Sequence, residues 1–223
     1  MTHIITATGA EYHLAGMAAL LPENRPVRIE DIAHQLAQLN RFCGAAKRPY
    51  SVAEHSLLVS EIAQRQGCSL RVQLAALMHD AHEFVTQDVS TPAKRAIDFM
   101  AAQSGGTGAW SQFERMHAER VRQHFRLTTV FAGHRHALKH FDLTALATER
   151  RDLLGFDDGV HLPWHVLHDN ADEAMRITPL HYMRLDTPER EAMTWKDWRQ
   201  QFLDRFEAIT FGLGEPVGGG AAA

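Results

Sequence analysis

Cysteine is scarce in this chain: two in 223 residues, Cys43 and Cys68. They form no CxxC pair, so neither a disulfide framework nor a zinc ribbon is indicated. An excess of positive charge is also missing. Lys and Arg number 23 against 27 Asp and Glu, a formal net charge of -4. That balance leaves no electrostatic footprint for a nucleic-acid polymer or an anionic membrane. A free nucleotide stays possible, because it needs only a local cluster of cations. No apolar run approaches the ~20 residues that span a bilayer. The opening stretch MTHIITATGAEYHL is too polar for a secretory leader. The expected compartment is the cytoplasm. No stretch alternates with period two over a strand's length, and no internal repeat is visible. What remains is a globular composition, 45% hydrophobic and 22% charged, in a chain long enough to bury a core.

Residues 1–28, broken by Gly9, Gly16, Pro22 and Pro26, read as an irregular segment with a short extended piece at Ile4 to Thr8. From Ile29 the pattern changes. Ile29, Ile32, Ala33, Leu36, Ala37 and Leu39 recur at helical spacing, predicting an amphipathic helix that reaches about Phe42. Ser51-Val52-Ala53-Glu54 has the spacing of a capping box, so a second helix starts there, with His55 in its first turn. A third is predicted over 69–85. Thr91-Pro92 opens another, with proline at the first helical position. Ser111 to Glu114 reads as a further capping box, and a helix is predicted over 134–154. Residues 155–186 read as loop. Thr187-Pro188-Glu189 opens a last helix, with Trp195, Trp198, Phe202, Phe206 and Ile209 on one apolar face that could serve the core or a homo-oligomer. The expected fold class is all-α, a helical domain over 29–210 followed by a flexible tail at 211–223.

The chemistry concentrates in residues 74 to 94, LAALMHDAHEFVTQDVSTPAK. His79 and Asp80 end the apolar run Leu74 to Met78. An imidazole and a carboxylate delivered by an apolar helix need compensation, and buried charges are normally paired or bound to a metal. A divalent cation is the expected compensation. On a continuous helix Glu83 would lie over the same face as His79 and Asp80. His55 is the natural third ligand, because consecutive helices with a short connection usually pack antiparallel. Asp142, next to the apolar Phe141, is the fourth, with Asp152 as a nearby competitor. Two imidazoles and two carboxylates suit manganese, iron, cobalt, nickel or zinc better than calcium. Bland readings stand beside each: a buried His-Asp hydrogen bond, a helix-surface Glu83, an Arg41 that caps its helix C-terminus, a turn residue at Asp88. Of the fifteen histidines, His136 and His140 read as surface residues or as groups that support a site from behind, and His82 as pointing away from the metal or else facing the pocket. His34, His117 and His124 are placed on solvated or half-buried faces. Lys94, Lys47 and Arg48 are expected to be solvated.

An early histidine, a His-Asp pair and a late aspartate on separate helices resemble the HD-domain metal-dependent phosphohydrolases. The block HDAHEFVTQDVSTPAK resembles the 5'-deoxynucleotidase-like branch, whose pattern is HDAxExxTxDxxTPxK. The likeness takes in Asn40-Arg41-Phe42 and Tyr50 to His55, and more loosely Asp142 to Leu153, so it covers roughly residues 29–154. It implies an HD-type helical bundle and one divalent transition metal held by His55, His79, Asp80 and Asp142. It further implies Glu83 as acid or base, Arg41 as phosphate clamp, Phe42 as a wall of the nucleotide pocket and Asp88 on the sugar hydroxyl. Phe42 stands where the deoxynucleotidases often carry tryptophan, which leaves base and sugar selectivity open. Phage dATP triphosphohydrolases share the RFxG and YSVAxHS texture, which leaves the phosphate chain length open.

The expected function is hydrolysis of phosphate from a deoxynucleoside 5'-monophosphate by a metal-activated water. One rival is a dNTP triphosphohydrolase releasing tripolyphosphate; another is a non-catalytic module that holds a metal and a nucleotide. The expected partner is a small nucleotide, with no nucleic-acid polymer and no membrane. Departure from close relatives is expected over 98–133.

Overall fold

In the computed structural model, which describes residues 2–169 and 171–215, the predicted amphipathic stripe becomes α1 (Ile29–Gln38), with Ile29, Ile32, Ala33, Leu36 and Ala37 buried. Then come α2 (Val52–Arg65), α3 (Leu70–Leu77), α4 (Glu83–Thr86) and α5 (Thr91–Gln103). The chain continues through α6 (Ala109–His124), α7 (Thr128–Gly133), α8 (Arg135–Leu153), α9 (Pro188–Glu191) and α10 (Trp195–Gly212). The core lies where α2 packs on α3 and α8, closed over by α10 against α1, α2 and α3. Trp198, Phe202, Phe206 and Ile209 of α10 are buried in it, and Trp195 is half-buried against His34, ring centroids 5.1 Å apart. The architecture is all-α, as expected. No helix among the described residues is long and apolar enough to cross a membrane.

Several elements differ from expectation, each for a local reason. The segment read as irregular contains an antiparallel hairpin of β1 (His3–Ile5) and β2 (Glu11–His13), with Ile4 opposite Tyr12. Three-residue strands are too short for alternation to register in sequence. The hairpin is tied down by Tyr12, which is fully buried, meets the Phe84 ring edge-on at 5.5 Å and bonds His117 Nδ1 at 3.0 Å. His117, expected on a solvated or half-buried face, is therefore buried.

The third predicted helix is not continuous. It ends at Leu77, turns through Met78 to His82, and restarts as α4. The Ala76 carbonyl, which a continued helix would pair with the Asp80 amide, accepts instead from His79 Nδ1 at 2.8 Å. A side chain competing for a backbone acceptor is enough to end a helix.

Two capping boxes were expected at Ser51 and Ser111. Ser51 Oγ does accept the Glu54 amide, at 3.2 Å. The Glu54 carboxylate does not reach back, because it is buried between Arg48, at 2.7 and 2.8 Å, and Arg190, at 2.8 Å. Charge-assisted bonds outcompete one backbone N–H, and Arg48 is buried rather than solvated. At Ser111 no box forms: α6 starts earlier, and Asp98 of α5 accepts the Trp110 amide at 2.7 Å, an acid placed where the helix dipole favours one. The last predicted helix is two. The capping box that forms there is Thr194 with Asp197, which starts α10 afresh after α9. The described residues of 155–186 are loop with short 3-10 turns at His165–Leu167 and Glu173–Met175. Helix α10 runs to Gly212, and most of the tail expected at 211–223, residues 216–223, lies outside the described residues.

Candidate metal centre

Ser51 caps α2 and so places His55 in its first turn, where the imidazole is fully buried. The turn after α3 carries His79 and Asp80, and the second turn of α8 brings Asp142 alongside. His55 Nε2 lies 3.1 Å from His79 Nε2, 3.6 Å from Asp80 Oδ2 and 3.4 Å from Asp142 Oδ1. His79 Nε2 is 3.1 Å from Asp80 Oδ2 and 3.9 Å from Asp142 Oδ1. His55, His79 and Asp80 form a group able to hold a metal ion, their ligand atoms all within 4.8 Å of one another. Asp142 joins that group through both imidazoles. Asp152 does not approach it. Its buried carboxylate takes Arg151 at 2.6 Å and the Leu185 amide at 2.8 Å.

The remaining imidazole nitrogens are spoken for. His79 Nδ1 bonds the Ala76 carbonyl, which only accepts, so the proton sits on Nδ1. His55 Nδ1 faces Glu149 Oε1 at 2.5 Å and donates to that carboxylate. With both Nδ1 atoms protonated, the Nε2 lone pairs of the neutral rings face one another and two carboxylate oxygens. This is the outer-shell arrangement that fixes histidine ligands on a metal, and a divalent cation fits the donor set. Burial and the Arg41 charge push the His55 pKa down, but Glu149 and Asp142 outweigh them and raise it to about 9. Burial likewise opposes ionisation of Asp80, yet His79, His55 and Arg41 hold its carboxyl well below the usual range.

Glu149 is the residue that sequence reading missed. It is fully buried, accepts from Tyr50 Oη at 2.9 Å and Arg41 Nη2 at 3.2 Å, and orients His55. Its signal was available: Glu149 lies two turns after Asp142, on the same side of α8.

Arg41 also lies 3.6 Å from Asp80 Oδ2, and its guanidinium stands 5.4 Å from the centre of the Phe42 ring. Phe42 and Cys43 hold left-handed backbone, φ 57° and 53°. That conformation is disfavoured for residues with a Cβ, and such strain tends to collect at functional sites. Gln87, just before the half-buried Asp88, does the same at φ 71°. Glu83 is buried, and its Oε2 accepts no hydrogen bond from the described residues. Burial and the charges of Asp80 and Asp88 raise its pKa well above the carboxylate range against the pull of Arg41 and Lys94.

A cleft of about 740 Å³ opens onto His79, Asp80 and Asp142 and continues between α6, α7 and α8 past Glu114, Arg122, Arg135 and Lys139. Arg41, Phe42, Glu83 and Asp88 do not line it. His82 does, bonded to Glu114 at 3.5 Å, so of its two expected placements it takes the one that faces the pocket. Lys94, expected in solvent, bonds the same Glu114 and lies 3.9 Å from Glu83. His136 and His140 are exposed, as expected.

The sequence pattern of the HD domain matches residues 52–153, the span that holds all four converging side chains. The chain is 35% identical over 153 residues to the uncharacterized protein YfdR of Escherichia coli, covering 68% of this chain and 74% of that protein. It is 39% identical over 142 residues to an uncharacterized protein of Rhodobacter capsulatus, covering 61% and 68%. With the HD-domain match and these relatives beside the His–Asp centre, the chain belongs to the HD-domain family of metal-dependent phosphohydrolases.

Proposed function

We propose that the chain hydrolyses the phosphate ester of a nucleotide, with a deoxynucleoside 5'-monophosphate as its first substrate, at the centre formed by His55, His79, Asp80 and Asp142. The observation that carries the proposal is the pair of imidazoles whose protons are fixed away from a point that two carboxylates also face. A bound manganese, iron, cobalt, nickel or zinc ion supplies Lewis-acid activation of water and of a phosphoryl oxygen. Everything else falls to the chain itself. Phosphoryl transfer asks for positioning and for neutralised charge. Arg41 serves as the phosphate clamp, because its planar fork can hold two oxygens at once and Glu149 already fixes one edge of it. Phe42 walls the nucleotide and Asp88 takes the sugar hydroxyl. Glu83, buried three residues beyond Asp80, serves as the acid or base that manages a proton near the attacked phosphorus.

A second reading, release of tripolyphosphate from a dNTP, is favoured by one feature. Arg122 and Arg135 line the cleft and form no ion pair among the described residues; Arg122 rests 4.4 Å from the Phe131 ring centre and Arg135 Nε bonds His136. Two guanidiniums that line the cleft without a close carboxylate partner among the described residues suit additional phosphates. The test is a panel of dAMP and dATP with manganese, cobalt and zinc, followed by product separation. Orthophosphate from dAMP supports the first reading and tripolyphosphate from dATP the second. Saturable nucleotide binding without turnover under every metal would leave only a binding module.

A further inference from the structure

Two residues beyond Asp80 a second cation position begins, and we propose that it is filled by the chain itself: the Lys94 ammonium takes the place of a second metal ion. The inference rests on the metal-centre reading above. His82, Glu83 and Glu114 form a group whose ligand atoms all lie within 4.8 Å of one another, by the same measure as His55, His79 and Asp80. One nitrogen and two carboxylates would suit a manganese or zinc ion. His82 and Glu83 are 6% and 3% exposed, and Glu83 Oε2 is a buried acceptor that takes no hydrogen bond from the described residues. A buried carboxylate oxygen of this kind calls for a cation.

The cation present is Lys94. Ser90, Thr91 and Pro92 start α5 so that Lys94 comes one turn in. There its ammonium bonds Glu114 Oε1 and lies 3.9 Å from Glu83 Oε1. Burial works against that charge, but Glu114 and Glu83 outweigh it and raise the Lys94 pKa. An ammonium carries one charge and three donors and offers no open position for water. Lys94 therefore supplies the compensating charge beside Glu83 and Glu114 without creating a second water-activating ion, and the centre stays mononuclear.

The test is manganese content per chain after equilibration with Mn(II) and removal of the free ion. It is run in a His3→Ala, His13→Ala background, because His3, Glu11 and His13 of the hairpin form a third group of this kind. One ion is expected in that parent, two in Lys94→Met, and one again in both Lys94→Arg and the Lys94→Met, Glu114→Gln double variant. Lys94→Gln repeats the measurement should Lys94→Met fail to fold. One ion in the parent and in both neutral variants overturns the role of Lys94 and leaves the first centre standing. Two ions in the parent overturn it as well, and a parent that binds none removes the metal centre itself.

Discussion

His55 Nε2 and His79 Nε2 face each other across 3.1 Å with their ring protons engaged elsewhere, on Glu149 and on the Ala76 carbonyl. Two neutral imidazoles cannot bond each other in that arrangement. Their approach is favourable when a cation lies between them or when one ring takes up a proton. The raised pKa of His55 expresses the same demand for positive charge.

Asp80→Ala removes a carboxylate that touches both imidazoles. Turnover and metal content should fall to background while the far-ultraviolet circular dichroism stays helical. Thermal melts check the linkage. An ion at a hundred times its Kd stabilises the folded state by about 2.7 kcal/mol, so Mn(II) should raise the Tm of the parent and leave that of Asp80→Ala unmoved. Full activity in a metal-free Asp80→Ala protein would end the hydrolytic reading.

Glu149→Gln keeps the shape of the side chain but removes the charge that holds the His55 proton on Nδ1. Mutating such outer partners typically lowers metal affinity or activity 10- to 100-fold, and calorimetric titration with Mn(II) should show a loss of that size. Glu149→Ala should also destabilise the fold by ~3 kcal/mol, because it removes the fully buried partner of Tyr50 and of the half-buried Arg41.

The contrast between Glu149 and the four converging residues shows where sequence reading stops. The approach of His55, His79, Asp80 and Asp142 was legible in residue type, an apolar flank and the likeness to a known family, with Asp152 left open beside Asp142. Glu149 carries no such flag; only its spacing from Asp142 hinted at it. The break in the third helix was invisible because it depends on one imidazole capturing one carbonyl. Long-range partners such as Arg190 on Glu54, 136 residues apart, decide caps that local patterns assign wrongly. The helical stripes at Ile29–Gln38 and Arg135–Leu153 read well, since periodicity over ten or more residues survives any tertiary detail.

His117 gives a pH prediction away from the site. Burial first, then the Arg25 charge, lowers its pKa to about 4. The unfolded value is near ~6.5. The folded state therefore favours the neutral ring: its contribution is complete above the unfolded pKa and lost as pH falls from there through about 4. The loss approaches ~3 kcal/mol at ~1.4 kcal/mol per pKa unit. Urea midpoints at pH 7 and pH 4.5 should differ more for the parent than for His117→Gln. Equal shifts would remove His117 as the acid-sensitive group.

Arg122→Ala and Arg135→Ala separate the two substrate readings, because both residues line the cleft and neither is spoken for by a carboxylate among the described residues. A hydrogen bond to a charged group is worth ~1.5–3 kcal/mol, which converts to a drop of roughly 10- to 100-fold in kcat/KM. If the cleft takes the outer phosphates of a dNTP, that drop falls on dATP and spares dAMP. If the substrate is a monophosphate bound on the Arg41 side, both variants keep parental kcat/KM with dAMP, while Arg41→Ala loses it. Arg122→Lys sharpens the comparison. It keeps the charge but loses the planar fork and its stacking on Phe131. Recovery toward parental kcat/KM with dATP would mean that charge alone is read, and failure to recover would mean that two oxygens are held at once.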